Sequence, residues 1–113
     1  MIIPQIKKAI LSSKAKKIFI LNVANKPFET KNFSLLDFVG AISDHIGTFP
    51  FKFVIANNNL KYKIPQKHKQ YKYVPLKIGK NKNYELIVDD LIDKNFPLYH
   101  DSSKLAKAVY KNI

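Results

Sequence analysis

Six residues, Ile18-Phe19-Ile20-Leu21-Asn22-Val23, place the strongest constraint on what this chain can fold into. The run is short, rich in β-branched side chains and almost continuously apolar. A strand with one wet face alternates apolar and polar residues, whereas a strand covered on both faces does not. Residues 18–23 therefore read as a strand buried on both faces, as in a parallel sheet. A parallel strand cannot return through a tight hairpin and needs a crossover, usually a helix. The next periodic segment supplies one: Leu35, Phe38, Val39, Ile42 and Ile46 follow the helical period. Ser34 stands at its N-cap, with Asp37 three residues on in a capping-box-like pair, and Gly47 suits its C-terminal cap. Phe51, Phe53, Val54 and Ile55 then predict a second strand, ending at Asn57-Asn58-Asn59.

The flanking segments extend the same pattern. Pro4 suits a first helical position, and Ile3, Ile6 and Ile10 fall on one face of the helix it would open. A basic turn, residues 14–17, leads into the first strand. Residues 25–32 read as a loop broken by Pro27, and residues 60–72 as an irregular, lysine-rich stretch. Val74-Pro75-Leu76 suits a short strand or an extended segment, and Tyr84-Glu85-Leu86-Ile87-Val88 a further strand. Asp101 or Ser102 opens a last helix in which Leu105, Ala108 and Val109 share a face. Lys107 and Lys111 lie toward its end, where cations suit the dipole. Helix, strand, helix, strand, loop, strand, helix is the order of an α/β fold: a mostly parallel sheet with flanking helices and right-handed crossovers. Residues 1–113 read as one domain, with no internal repeat or low-complexity linker.

Composition narrows the function classes. The formal net charge of +12 invites a nucleic-acid reading, with Tyr62, Tyr71 and Tyr73 as stacking platforms. Two features oppose it. All 20 basic residues are lysine, whereas arginine is the preferred side chain for bidentate phosphate and base contacts. The abundance of Lys, Ile and Asn is also what AT-rich codons produce without selection for binding. The tyrosines are expected instead to pack their rings against the sheet and expose their hydroxyls. With no cysteine, disulfides and thiolate metal sites are excluded. No cationic segment followed by an apolar run marks a signal peptide, and no stretch approaches the roughly 18 apolar residues of a membrane span. A cytoplasmic protein is expected.

In open α/β sheets, ligands bind beyond the carboxyl ends of the strands. That rule selects Asn22 with the loop Asn25-Lys26-Pro27-Phe28-Glu29-Thr30, and Asn57-Asn58-Asn59. An Asn amide both donates and accepts, which suits a sugar hydroxyl or a base edge, although Asn is also common in turns. His45, His68 and His100 lack ligand-like spacing, so no metal site is expected. Asp89, Asp90 and Asp93 could bind a cation or act in acid/base chemistry, but such a cluster is more often a polar loop. Neither a nucleophile elbow nor a Gly-rich phosphate loop appears; Gly40, Gly47 and Gly79 are well separated. No catalytic residue is assigned.

Residues 19–30, Phe-Ile-Leu-Asn-Val-Ala-Asn-Lys-Pro-Phe-Glu-Thr, resemble the strand and loop of the YvcK-like branch of the CofD family. There a valine-rich strand runs into Asn, two residues and Thr-Gln-Pro-Gly-Glu-Thr. Asn22, Pro27, Glu29 and Thr30 match; Asn25, Lys26 and Phe28 replace the threonine, glutamine and glycine. Residues 3–10 are similar to the helix before this strand. Residues 33–39 are similar to the helix after it, where Asp37 matches an Asp-His start and Phe38 does not. Phe53-Val54-Ile55-Ala56-Asn57-Asn58 resembles a family strand ending in paired Asn. Leu91-Ile92-Asp93 and Tyr99-His100-Asp101-Ser102-Ser103-Lys104-Leu105-Ala106 resemble the family's ending, with Tyr99 in place of an arginine.

The resemblance is collinear over nearly the whole chain, and it implies a Rossmann-like protein. YvcK-like members bind UDP-sugars and are tied to gluconeogenic growth, cell-wall synthesis and regulation of cell shape. CofD members transfer a phospholactyl group onto a deazaflavin, as 2-phospho-L-lactate transferases. In the family the Gly-rich phosphate loop precedes the position equivalent to Met1. The resemblance therefore implies a partial Rossmann-like unit, the C-terminal half of a larger domain, contributing Asn22, Glu29, Thr30, Asn57 and Asn58 to a ligand site. UDP-N-acetylglucosamine is the implied ligand once the other half completes the site. Self-association or a partner chain is expected where that half is absent; a membrane is not.

Overall fold

β3 (Phe53–Asn57) has a parallel neighbour on each side: β1 (Ile18–Ile20) and β5 (Glu85–Asp89), in the sheet order β1-β3-β5. The computed structural model describes residues 4–25, 32–68, 70–79 and 83–112. Around the sheet lie α1 (Pro4–Ser12), α2 (Leu35–Ile46) and α3 (Ser102–Asn112). A small antiparallel pair, β2 (Ala24–Asn25) with β4 (Lys72–Tyr73), stands apart from it. This is the expected α/β architecture with a parallel sheet and flanking helices.

The alternation of side chains along a strand explains the two cores. Val54 and Ala56 point to the face covered by α2, where they meet Leu21, Leu35, Val74 and Tyr84, with Phe38 and Val39 packed against them. Ile55 points to the opposite face and meets Leu91 and Ala108, with Leu105 and Val109 of α3 packed against it. Val54, Ile55 and Ala56 have no exposed surface. Burying a side chain such as Ile55 stabilises the fold by roughly 1.5–3 kcal/mol.

The ends of α2 are set by local chemistry. The Asp37 N–H donates to Ser34 Oγ at 3.3 Å, and the Ser34 N–H donates to Asp37 Oδ2 at 2.8 Å, closing the capping box. That bond from the Ser34 N–H is the first cause holding the Asp37 carboxyl below its ordinary range. Gly47 ends the helix at φ 93°, a left-handed conformation that glycine adopts without a Cβ penalty, and its N–H donates to the Ser43 carbonyl at 2.7 Å. The Leu35 N–H donates to the Pro75 carbonyl at 2.8 Å, tying the helix start to the segment after β4.

The structure differs from the sequence expectations at several points. The apolar run 18–23 is not one strand buried on both faces. β1 stops at Ile20, which is 36% exposed, and among the described residues β1 has a strand neighbour on one side only. The chain then changes partners: Asn25 belongs to β2 rather than to a loop, and the Val74 N–H donates to the Val23 carbonyl at 3.1 Å. Pairing near the extended segment 74–76 falls earlier, at Lys72–Tyr73. The Tyr73 hydroxyl, expected in solvent, donates to the Tyr62 carbonyl. Between β3 and β5 the described residues hold a 3-10 turn, Gln66–His68, and β4, but no α-helix. Ile3 lies outside the described residues.

Ser34→Ala removes the acceptor that caps α2 and is expected to destabilise the chain by about 1 kcal/mol, with Ser34→Asp largely retaining stability. Urea denaturation of the three proteins checks it; an unchanged midpoint for the alanine variant would show that the cap contributes nothing.

Candidate functional site

The register Ile20↔Ile55, continued by the Leu21 N–H donating to the Ile55 carbonyl at 3.0 Å, brings Asn22 and Asn57 to the same, carboxyl end of the sheet. The two strand ends expected to lie together do so. Their side chains differ in availability. Asn22 and Asn58 are exposed, whereas Asn57 is 7% exposed.

The Asn57 amide is occupied by backbone. Its Oδ1 accepts from the Leu91 N–H at 3.0 Å and from the Asn59 N–H at 3.2 Å, and its Nδ2 donates to the Asn59 carbonyl at 2.9 Å. Leu91 is fully buried, so Asn57 satisfies a donor that has no access to water. The Asn58 N–H donates to the Asp89 carbonyl at 2.9 Å, extending the β3–β5 pairing by one residue while the Asn58 side chain stays in solvent. Asn25, just beyond Asn22, is 3% exposed. Its Nδ2 donates to the Phe33 carbonyl at 2.7 Å, and its Oδ1 has no hydrogen-bond partner among the described residues. Glu29 and Thr30 lie outside the described residues, as do Lys26, Pro27 and Phe28.

A second group closes the same end of the sheet. The His100 ring Nε2 lies 3.1 Å from the Leu21 carbonyl. A carbonyl only accepts, so Nε2 carries the proton and donates. Burial is the main cause lowering the His100 pKa from its ordinary 6.5, with the Leu21 carbonyl pulling the other way. Residues Ile92 and His100 form an antiparallel bridge, and the Asp101 N–H donates to the Leu91 carbonyl at 2.7 Å. Asp101 also caps α3, its Oδ1 accepting from the Lys104 N–H at 3.0 Å. The Lys104 ammonium spans the loop after β5, donating to both Asp90 oxygens at 3.2 Å and to the Ile92 carbonyl at 3.0 Å. The Asp90 carboxyl sits below its ordinary range, chiefly through the Asn59 side chain and then through Lys104 and the Ile92 N–H.

The acidic cluster thus builds a loop. Asp89 Oδ1 accepts from the Asp90 N–H at 2.8 Å, Asp90 Oδ1 from the Ile92 N–H at 3.3 Å, and Asp93 Oδ1 from the Asn95 N–H at 2.9 Å. Sequence reasoning missed the Asp90–Lys104 and Leu21–His100 contacts, because nothing in spacing connects residues 14 and 79 positions apart. The available signal was the His-Asp and Lys-Leu-Ala pattern itself. Tyr99, at the position of the family's arginine, is 63% exposed and stacks on Phe96 at 5.1 Å.

Two outcomes follow from this geometry. Asn57→Ala strands the buried Leu91 N–H and should cost about 1–3 kcal/mol, while Asn58→Ala stays within roughly 0.5 kcal/mol. Equal denaturation midpoints for the two variants would contradict the division of roles. Because the folded pKa of His100 lies below 6.5, the contribution of the neutral ring is complete above that pH and is lost as pH falls from it toward the folded pKa. Stability measured against pH should therefore drop on acidification in this window, and His100→Gln should flatten the drop. A His100 pKa at or above 6.5 by NMR titration would refute it.

The comparisons with known proteins agree with this architecture. The family model described as 2-phospho-L-lactate transferase CofD matches residues 1–94. A Clostridium acetobutylicum protein provisionally named a gluconeogenesis factor is 30% identical over 120 aligned residues, covering 100% of this chain and 26% of the relative. The gluconeogenesis factor of Bacillus subtilis is 27% identical over 112 residues, covering 94% of this chain and 35% of the relative. A crystal structure of a UPF0052-family protein from Bacillus halodurans superposes with a TM-score of 0.77 at 26% identity, covering 95% of this chain and 36% of that one. The chain thus spans about a quarter to a third of the length of the relatives it matches. Among its described residues no helix is long and apolar enough to cross a membrane. A family model that accounts for residues 1–94, with relatives and a shared fold that agree with it, shows that this chain belongs to the CofD family and is YvcK-like.

Proposed function

We propose that this chain is the ligand-reading portion of a YvcK-like regulator of carbon metabolism and cell shape, and that it takes a nucleotide sugar such as UDP-N-acetylglucosamine at the carboxyl end of the sheet. One observation carries the reading: exposed Asn22 and Asn58 flank the ends of two adjacent parallel strands, beside the start of the segment that holds Glu29 and Thr30. Amides placed there can donate to and accept from sugar hydroxyls and a uracil edge together. Asn57 contributes by holding the turn from which Asn58 projects. Glu29 and Thr30, outside the described residues, are the further residues that the family resemblance assigns to the site. The names of the relatives support a role in gluconeogenic growth.

A second reading is phospholactyl transfer onto a deazaflavin, favoured by the description of the matching family model. The binding role fits the site better. At the described strand ends, the carboxylates of Asp89, Asp90 and Asp93 accept backbone N–H bonds, and Asp90 also pairs with Lys104. Neither arrangement presents a poised nucleophile or base.

The chain has no Gly-rich phosphate loop, so its own affinity for the ligand is expected to be weak, with Kd near or above about 1 mM. NMR titration with UDP-N-acetylglucosamine should shift the side-chain amide signals of Asn22 and Asn58 and leave those of Asn95 and Asn112 in place. Shifts confined to other surfaces, or none at the highest ligand concentration, would overturn the reading. Shifts with a phospholactyl donor but not with the UDP-sugar would favour transfer.

A further inference from the structure

We propose that the lysine-lined hollow at the amino end of the sheet is a binding site for an oligophosphate anion, a compact group of linked phosphates. It lies at the opposite end of the strands from Asn22 and Asn58, so it does not rest on the ligand reading.

Two segments far apart in sequence build the hollow. The turn after α1 delivers Ser13, Lys14, Lys16 and Lys17 ahead of β1, and Lys52 enters just ahead of β3. The parallel register Ile18↔Phe53 brings Lys17 and Lys52, the residue before each, to the same, amino end of the sheet. Together with Phe53 these side chains line a concavity of about 530 Å³. Four of its eight lining residues are lysine, against 20 of 113 in the whole chain, so the concentration exceeds what composition alone supplies.

The charge gathered there is uncompensated. No carboxylate lines the hollow, and none of the four lysines forms an ion pair with a described carboxylate. The Glu85 N–H donates to the Lys52 carbonyl at 2.8 Å, yet Glu85 lines a different hollow with Lys52 and is not paired with it. Lys16 lies over the Phe53 ring at 5.5 Å, a contact that attracts the cation without cancelling its charge. Like charges on neighbouring strands repel and destabilise the pairing. Lys17 is half-buried, so solvent screens it less than the exposed lysines. An anion seated among the four removes that repulsion, and a concave wall of one sign focuses the field on it.

The ligand class follows from the donors. Ammonium groups on flexible stems are point charges that hold phosphate oxygens without needing a planar, two-pronged partner. Positive charges converging on one hollow match the closely spaced negative charges of a pyrophosphate or triphosphate group. The phosphates of a nucleic acid are instead strung along its strand, and an extended basic stripe suits them better than a single hollow.

The experiment is an NMR titration of the full chain with inorganic triphosphate at low salt, repeated with pyrophosphate, orthophosphate and a single-stranded oligonucleotide. The backbone amides of Lys14, Lys16, Lys17 and Lys52 should shift, while those of Lys61, Lys63 and Lys94 stay in place. Affinity should rise by roughly tenfold or more from orthophosphate to triphosphate and fall as salt is added. The double variant Lys17→Gln/Lys52→Gln should weaken triphosphate binding by about tenfold, whereas Lys107→Gln/Lys111→Gln, which removes the same charge from α3, should change it by less than about twofold. Circular dichroism establishes that both variants are folded. The proposal is overturned by no binding of triphosphate at low salt, by equal weakening in the two double variants, or by shifts spread over lysines throughout the chain. Shifts at the Asn22 and Asn58 side-chain amides in place of the lysines, or tighter binding of the oligonucleotide at equal phosphate concentration, would overturn it as well.

Discussion

The hydrogen bond from the Leu91 N–H to Asn57 Oδ1 joins the two halves of this fold. Both partners are buried, and neither backbone alone could satisfy the other, because β3 ends at Asn57 and β5 has ended at Asp89. One side chain takes over where the ladder stops. The turn at Asn59 and the loop to α3 both start from that amide, and the Lys104 ammonium then fixes the loop by gripping Asp90 and the Ile92 carbonyl. Without Asn57 the carboxyl end of the sheet would have a stranded donor and an unanchored rim.

The same arrangement explains how rigidity and availability are divided among neighbouring asparagines. Asn57 and Asn25 are buried and at least partly committed to backbone; Asn22 and Asn58 are presented to solvent by strands that those buried amides help to hold. His100 adds a further brace, linking the end of β1 to the segment before α3 through the Leu21 carbonyl.

How much of this was legible depended on how local the chemistry is. The capping box of Ser34 and Asp37 and the left-handed Gly47 were readable because each acts within a few residues. The central strand was readable because Val54, Ile55 and Ala56 are buried on both faces and composed accordingly. β1 was misread for the opposite reason. Its Ile-Phe-Ile sequence has the composition of an interior strand, but hydrophobicity cannot reveal whether a neighbour is present. Asn57 was picked out as a strand-end amide, yet its bond to Leu91 arises only once β3 and β5 pair. Motif resemblance reached further than periodicity here, since it drew His100, Asp101 and Lys104 to notice before any contact could be named.

The connections in this sheet also bear on how the chain reaches its native state. The bond between Asn57 and Leu91 closes a separation of 34 residues, and that between His100 and Leu21 closes 79. Neither parallel pairing has a hairpin to start it, so the entropy of loop closure is spent before any ladder bond is formed. α2, with both caps encoded nearby, can gain order early. Folding of such a topology belongs to the slower, non-local regime, in which the rate is set by bringing β3 and β5 together across an excursion with no described α-helix. During that search the apolar strands are without partners, and the lysine charge that disfavours contact between copies also protects the half-folded chain from its neighbours.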